Sequence, residues 1–174
     1  MKNWTFTHTL VAIISMLGTL FLLVHLYSPE GYLKDTLKTG TLRSSNLSGK
    51  LLIAKQGSPF KDSIVVQVVH RYSSHPVEIT LLDITALKSI DPFNFDAIFL
   101  IYRWEARNPP EAIQAFVKQH VKLKSKIVVL TTSWNGLEKM EGLDAITGAS
   151  IGSDVSMFSD NIIKELDRLL YVEN

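Results

Sequence analysis

The sequence predicts a three-layer α/β domain on a parallel sheet of about five strands, preceded by one transmembrane helix. Three features predict it: an uncharged apolar run near the amino terminus, solidly apolar strand segments after it, and amphipathic helical segments alternating with those strands. The chain's 174 residues suffice for one domain plus an anchor. The divisions read as anchor 1–28, linker 29–48 and α/β domain 49–174.

From Asn3 through Pro29 there is no Asp, Glu, Lys or Arg. The apolar part, Trp4 to Tyr27, makes a helix of about 36 Å at ~1.5 Å per residue, enough to cross a ~30 Å hydrocarbon core. Trp4 and Tyr27 stand at its ends, where amphipathic rings favour the headgroup region. A cleaved secretory signal has a shorter apolar region and a small-x-small cleavage site, which Leu26-Tyr27-Ser28-Pro29 does not supply. A retained single-pass anchor in the lipid bilayer is therefore expected.

Ser28 to Ser48 is polar and reads as a membrane-proximal linker, with a short helical piece around Tyr32–Lys38. Lys50 to Lys55 is a short apolar run bounded by Gly49 and Gly57, hence a strand. Lys61 to Tyr72 follows as a helix with Ile64, Val65, Val68 and Val69 at helical spacing. Val77 to Leu82 is a second strand, Asp83 begins a turn, and Ala86–Ile90 makes at most one helical turn. Phe95 to Tyr102, almost wholly apolar, is a strand covered on both faces. Pro109-Pro110 opens a helix carrying Ala112, Ile113, Phe116 and Val117. Lys126 to Thr132 is the fourth strand, and Asp144–Thr147 a short fifth. The last helix is expected to start near Ser159-Asp160 and to bury Ile162, Ile163, Leu166 and Leu169/Leu170.

Composition narrows the function classes. Hydrophobic residues make up 46% and charged residues 20%, as in a globular core. A net charge of +1 with no basic run gives no footprint for nucleic acid. With no cysteine, there is no disulfide, thiolate metal site or cysteine nucleophile. No two histidines stand at i, i+4, so no zinc site is expected. Neither a G-x-S-x-G elbow nor a Walker loop occurs, and Asp83, Asp91 and Asp96 show no paired acid–base spacing, so no catalytic residue is assigned.

Five strands at this size point to a flavodoxin-like arrangement, strand order 2-1-3-4-5, whose ligand crevice lies beyond the carboxyl ends of the strands. Flavodoxins carry a glycine- and hydroxyl-rich phosphate loop after the first strand. Here that loop is Gln56-Gly57-Ser58-Pro59-Phe60, in which proline removes an N–H donor, so an ordinary tight connection is expected. Of the chain's three tryptophans, Trp104 and Trp134 fall at the ends of adjacent strands. In flavodoxins, aromatic side chains of the corresponding loops sandwich the flavin ring. These indoles either stack a planar ligand in the same way or cap the sheet edge by packing.

Residues 144–150 read Asp-Ala-Ile-Thr-Gly-Ala-Ser. This resembles the D-x-x-[ST]-G-A-[ST] signature of FMN-binding domains, such as the flavin-bearing subunits of sodium-translocating NADH:quinone reductase. In that family a flavin transferase links FMN by a phosphoester to the final hydroxyl residue, usually Thr. The resemblance implies Ser150 as attachment site and Asp144, Thr147, Gly148 and Ala149 as recognition sequence; from their loops at adjacent strand ends, Trp104 and Trp134 are expected beside such a cofactor. The other reading of the segment is a glycine turn at Gly148 joining the last strand to the last helix.

Two functions follow. One is a membrane-anchored, flavodoxin-like protein carrying FMN and relaying electrons to a membrane redox complex. The other is a non-catalytic, membrane-tethered interaction module serving an envelope protein. The Lys and Arg count around the anchor favours a cytoplasmic domain, whereas the resemblance implies an extracytoplasmic one. The expectation follows the resemblance, with orientation left open.

Overall fold

The computed structural model describes residues 8–9, 11–19, 49–170 and the backbone of 40–42. It divides into two units, residues 1–35 and 36–174. In the first, 8–9 and 11–19 are helical, with Val11, Ile14 and Leu17 exposed. No helix among the described residues is long and apolar enough to cross a membrane. The rest of the predicted span, 4–27, and the predicted helical piece Tyr32–Lys38 lie outside the described residues.

Among its described residues the second unit contains six strands: β1 (Gly40–Leu42), β2 (Gly49–Lys55), β3 (Val77–Asp83), β4 (Ala97–Arg103), β5 (Ile127–Thr132) and β6 (Ile146–Gly148). They lie in the order β1-β3-β2-β4-β5-β6. β2 to β6 are parallel, and β1 pairs antiparallel with β3. Taken in chain order, the parallel strands run 2-1-3-4-5, the flavodoxin-like arrangement. β1 adds an edge strand inside the segment read as linker.

Three α-helices cover the sheet: α1 (Pro59–Tyr72), α2 (Glu111–Gln119) and α3 (Val155–Leu170). The strand period of two divides the core. Leu51, Ile53, Phe99 and Ile101 face Ile64, Val68, Ile162 and Leu166 of α1 and α3. Leu52, Ala54, Leu100 and Tyr102 face Ile113 and Phe116 of α2. Every residue of β4 but Arg103 is buried, as a central strand sheathed on both faces requires. Each such side chain contributes about 1.5–3 kcal/mol by leaving water.

The β3–β4 connection contains only short 3-10 turns, Ile84–Ser89 and Pro92–Asn94. Asp83 caps the first, its Oδ1 accepting the Thr85 N–H at 2.9 Å. The β5–β6 connection carries no helix, which leaves α2 as the one α-helix on its face.

The last helix begins earlier than the sequence suggests. α3 starts at Val155 after a 3-10 turn at Gly152–Asp154. Ser159 is not its cap: it is fully buried, and its Oγ donates to the Val155 carbonyl at 2.8 Å. A serine can satisfy its hydroxyl within a helix in this way, so the residue type alone does not mark the start.

Candidate functional site

In a parallel sheet of this order, ligands bind outside the carboxyl ends of the strands, next to the switch point. Here that point lies between β2 and β4, and Gln56 fills it. Its N–H donates to the Ile101 carbonyl at 2.9 Å, its Oε1 accepts the Arg103 N–H at 2.7 Å, and its Nε2 donates to Glu105 at 2.6 Å. The loop after β2 is thus stitched to the loop after β4. Ser58 caps α1, its Oγ accepting the Lys61 N–H at 3.3 Å, and Pro59 offers no donor. A phosphate cradle of the usual form does not fit these residues.

Lys61 lies beneath this loop, 3% exposed. Its pKa falls to about 8, chiefly through burial, with the nearby Arg103 guanidinium adding repulsion. An unfolded chain keeps this proton up to about 10.5, so between roughly pH 8 and 10.5 the unfolded state holds more protons and stability rises with pH. Below that window the folded state bears the full cost of a buried charge. Lys61→Met is therefore expected to stabilise the protein at pH 7 by about 1–3 kcal/mol, with the gain vanishing as the pH approaches 10.5. Thermal melts of both chains across that range check it.

An open cleft of about 450 Å³ lies one step along the sheet, within the size range of small-molecule sites. Its base is set by register. Arg103 pairs with Thr132, and Thr132 with Gly148, so Trp104, Ser133 and Ala149 emerge side by side one residue past three adjacent strands. The Trp104 N–H still bonds the Thr132 carbonyl at 2.8 Å, and the Ser133 N–H the Gly148 carbonyl at 3.1 Å. Trp104 is half-buried, whereas Trp134 at the loop tip is fully exposed.

The tip is held by Asn135, whose Oδ1 accepts from Ser133 Oγ at 2.8 Å and the Leu137 N–H at 3.0 Å. Gly136 has φ +69°, and a Cβ there would stand 3.1 Å from the Ala149 nitrogen. Both conformation and close approach call for glycine. Across the cleft, the Ile151 N–H bonds the Ala149 carbonyl at 2.9 Å, closing a three-residue turn with Ser150 at its centre, exposed.

The segment 144–150 does not act as one unit. Ala149 and Ser150 line the cleft with Trp104 and Trp134. Thr147 is half-buried within β6, paired with Thr131. Asp144 sits at the opposite end of β6, beside Ser125, Glu165 and Arg168, and its Oδ1 accepts the Ala145 N–H at 3.1 Å. Gly148 serves packing: a Cβ there would lie 2.2 Å from Phe158 Cζ, so only a glycine lets the tip of the α3 ring approach the strand this closely.

Polar atoms without partners concentrate at this end of the sheet. Trp104 Nε1 and Thr132 Oγ1 are buried with no hydrogen bond, and Tyr102 Oη and Thr131 Oγ1 are buried with only one another as a possible partner. Two of these residues, Trp104 and Thr132, line the cleft. A buried donor left unpaired costs about 1–3 kcal/mol, and a ligand could pair with these atoms only if the side chains covering them moved. The cleft offers a flat ring its two indoles, although the loop after β2 does not fit a phosphate. Sequence reasoning found the indoles and Ser150 but not Gln56 or Thr132, whose types carry no signal before partners are known.

No protein-family model and no curated protein matches the chain. Among solved structures, it is similar to a flavodoxin from the domain Archaea at 9% identity, covering 69% of this chain and 98% of that one, with TM-score 0.46. It is also similar to oxidised Flavodoxin 2 from Bacillus cereus, at 17% identity over 68% and 99% of the two chains, TM-score 0.46. An oxidoreductase from Corynebacterium diphtheriae shares 10% identity over 75% and 100%, TM-score 0.44. The fold class rests on the strand order itself: a flavodoxin-like α/β domain with a cleft at the carboxyl ends of its last three strands.

Proposed function

We propose that the protein is a membrane-tethered flavoprotein that relays electrons to a membrane redox partner, with FMN joined through its phosphate to Ser150. The observation that carries this reading is the cleft itself, where an exposed serine stands beside two indoles and two unpaired buried donors. Bound there, a flavin supplies one- and two-electron transfer. The chain's residues do the rest. Trp104 and Trp134 offer aromatic faces, Trp104 Nε1 and Thr132 Oγ1 offer donors to ring acceptors once the side chains covering them move, and the Ser150 turn gives a transferase access. Attachment at Ser150 also removes the need for a phosphate loop after β2, which Gln56 and Ser58 have closed.

The uncharged segment 4–27 is the proposed anchor, with the domain on the extracytoplasmic side. A reporter fused at the carboxyl terminus distinguishes the two sides, and activity of a cytoplasmic reporter would count against modification by an exported transferase. For the ring site, Trp104→Ala and Trp134→Ala are each expected to weaken binding of free riboflavin about 3- to 10-fold, the range of an aromatic contact worth ~0.5–1.5 kcal/mol. Quenching of flavin fluorescence on titration measures this. Unchanged affinity in both variants would remove the ring from the cleft.

The second reading, a silent interaction module of an envelope complex, draws on Gln56. The bonds of Gln56 to the Arg103 N–H and to Glu105 occupy the place where a flavodoxin-like site would usually open, which supports this reading.

A further inference from the structure

We propose that Ser58 and Lys61 form a nucleophile–base dyad that accepts acyl groups from small activated esters, an activity separate from the cleft at Ser150. The Lys61 Nζ lies 2.9 Å from Ser58 Oγ, and among the described residues this is its one hydrogen bond. The nearby carboxylates are engaged elsewhere: Asp62 holds the Lys55 ammonium, and Glu105 takes Gln56 Nε2 with Arg103 at 3.9 Å. A lysine 3% exposed, with Arg103 and Lys55 nearby, sits where burial first and then these cations disfavour its charged form, Asp62 and Glu105 offsetting part of the effect. Such a placement lowers the amine's pKa to about 8, so that a fraction of it is neutral and able to take a proton near neutral pH and most of it is above pH 8.

The surroundings of Ser58 suit the other half of the pair. Its Oγ accepts the Lys61 backbone N–H at 3.3 Å, so negative charge growing on the oxygen meets a donor already in place, while its own proton is free to point at Nζ. Ser58 is half-buried between exposed Gly57 and Pro59, and a Cβ built on Gly57 would meet nothing within 4 Å. The oxygen is thus approachable from solvent, and an open surface of this kind suits a small acyl group.

The chemistry balances without a co-reactant. Ser58 Oγ bonds to the acyl carbon as its proton passes to Nζ of neutral Lys61, and the alcohol or phenol leaves with that proton. Water then cleaves the serine ester, releasing the carboxylic acid and restoring the hydroxyl. The spacing Ser-x-x-Lys is short enough to be common by chance, and only the approach of the two side chains gives it meaning.

The test treats the full chain with p-nitrophenyl acetate and maps acetyl groups by peptide mass spectrometry. The expected result is acetylation at Ser58, at a rate that climbs with pH and levels off above about 8. Ser58→Ala removes the label. Lys61→Met and Lys61→Arg each slow labelling by about 100-fold, the arginine because it retains a donor to Ser58 but takes no proton. Circular dichroism confirms that the variants fold, and Lys61→Met is expected to melt no lower than the parent chain. Acetyl groups on Lys61 or scattered surface lysines with Ser58 unmodified would overturn the proposal, as would unchanged labelling of Ser58 in either Lys61 variant.

Discussion

Gly148→Ala is expected to lower the stability of the α/β domain by about 3 kcal/mol, equivalent to roughly 10 °C in Tm. The added carbon would fall 2.2 Å from Phe158 Cζ and 3.0 Å from Cε1 of the same ring. That ring cannot simply rotate away. It is 4% exposed, belongs to the core between the sheet and α3, and meets Phe60 of α1 edge-on at a centroid distance of 6.0 Å. Relief requires α3 to shift from the sheet or β6 to loosen from β5. Phe158→Leu, made alone, leaves a cavity, but in the double variant the smaller side chain makes room for the methyl. The two changes should therefore couple by more than about 1 kcal/mol, the range for residues in direct contact. Denaturant unfolding of the two single variants and the double variant measures the coupling, and independent effects would mean that the glycine is present for another reason.

Asp167→Ala should cost a similar amount, about 3 kcal/mol, through a different cause. Asp167 is 5% exposed on α3, and its carboxylate accepts from Tyr72 Oη at 2.7 Å and Arg71 Nη2 at 3.0 Å, both at the end of α1. Without it, a phenol buried to 1% exposure loses its acceptor and the two helices lose their polar tie. Tyr72→Phe removes the donor instead and should cost less, about 1–2 kcal/mol, because Asp167 Oδ1 loses its donor while Oδ2 keeps Arg71. The pH dependence separates the two. Burial and the hydrogen bond to Asp167 hold the Tyr72 phenol neutral well above its ordinary range. Above about pH 10 the unfolded chain gives up that proton first, so this contribution is present below that pH and declines as pH rises past it. In Tyr72→Phe the alkaline decline should be shallower, as equilibrium unfolding from pH 9 to 11 would reveal.

Most of the α/β frame was legible because burial on both faces writes itself into strands such as β4 and β5 as unbroken apolar runs. Helix α1 was legible from its period, and its serine cap accompanies the proline that follows. Two kinds of feature were not. β1 is three residues long and antiparallel, held by backbone pairing with β3, so its side chains carry no pattern. The start of α3 is obscured by Ser159, which looks like a cap but satisfies its hydroxyl inside the helix.

At the site, the sequence marked Trp104, Trp134 and Ser150, because rare or small residues past strand ends stand out. It also grouped Asp144 with them, although a strand between the two ends of the segment carries that carboxylate to the amino side of the sheet. Gly148, placed by resemblance next to a phosphate, answers first to Phe158. Gln56 was silent in sequence, since a glutamine gives no sign of the three bonds it will make across a crevice.

The most direct measurement is the mass of the peptide containing Ser150 after co-expression of the full chain with a flavin transferase. The account predicts an FMN adduct on that peptide, in-gel flavin fluorescence from the intact protein, and loss of both in Ser150→Ala. An unmodified Ser150 in every context, native membranes included, would contradict it, and flavin retained by Ser150→Ala would place the attachment elsewhere.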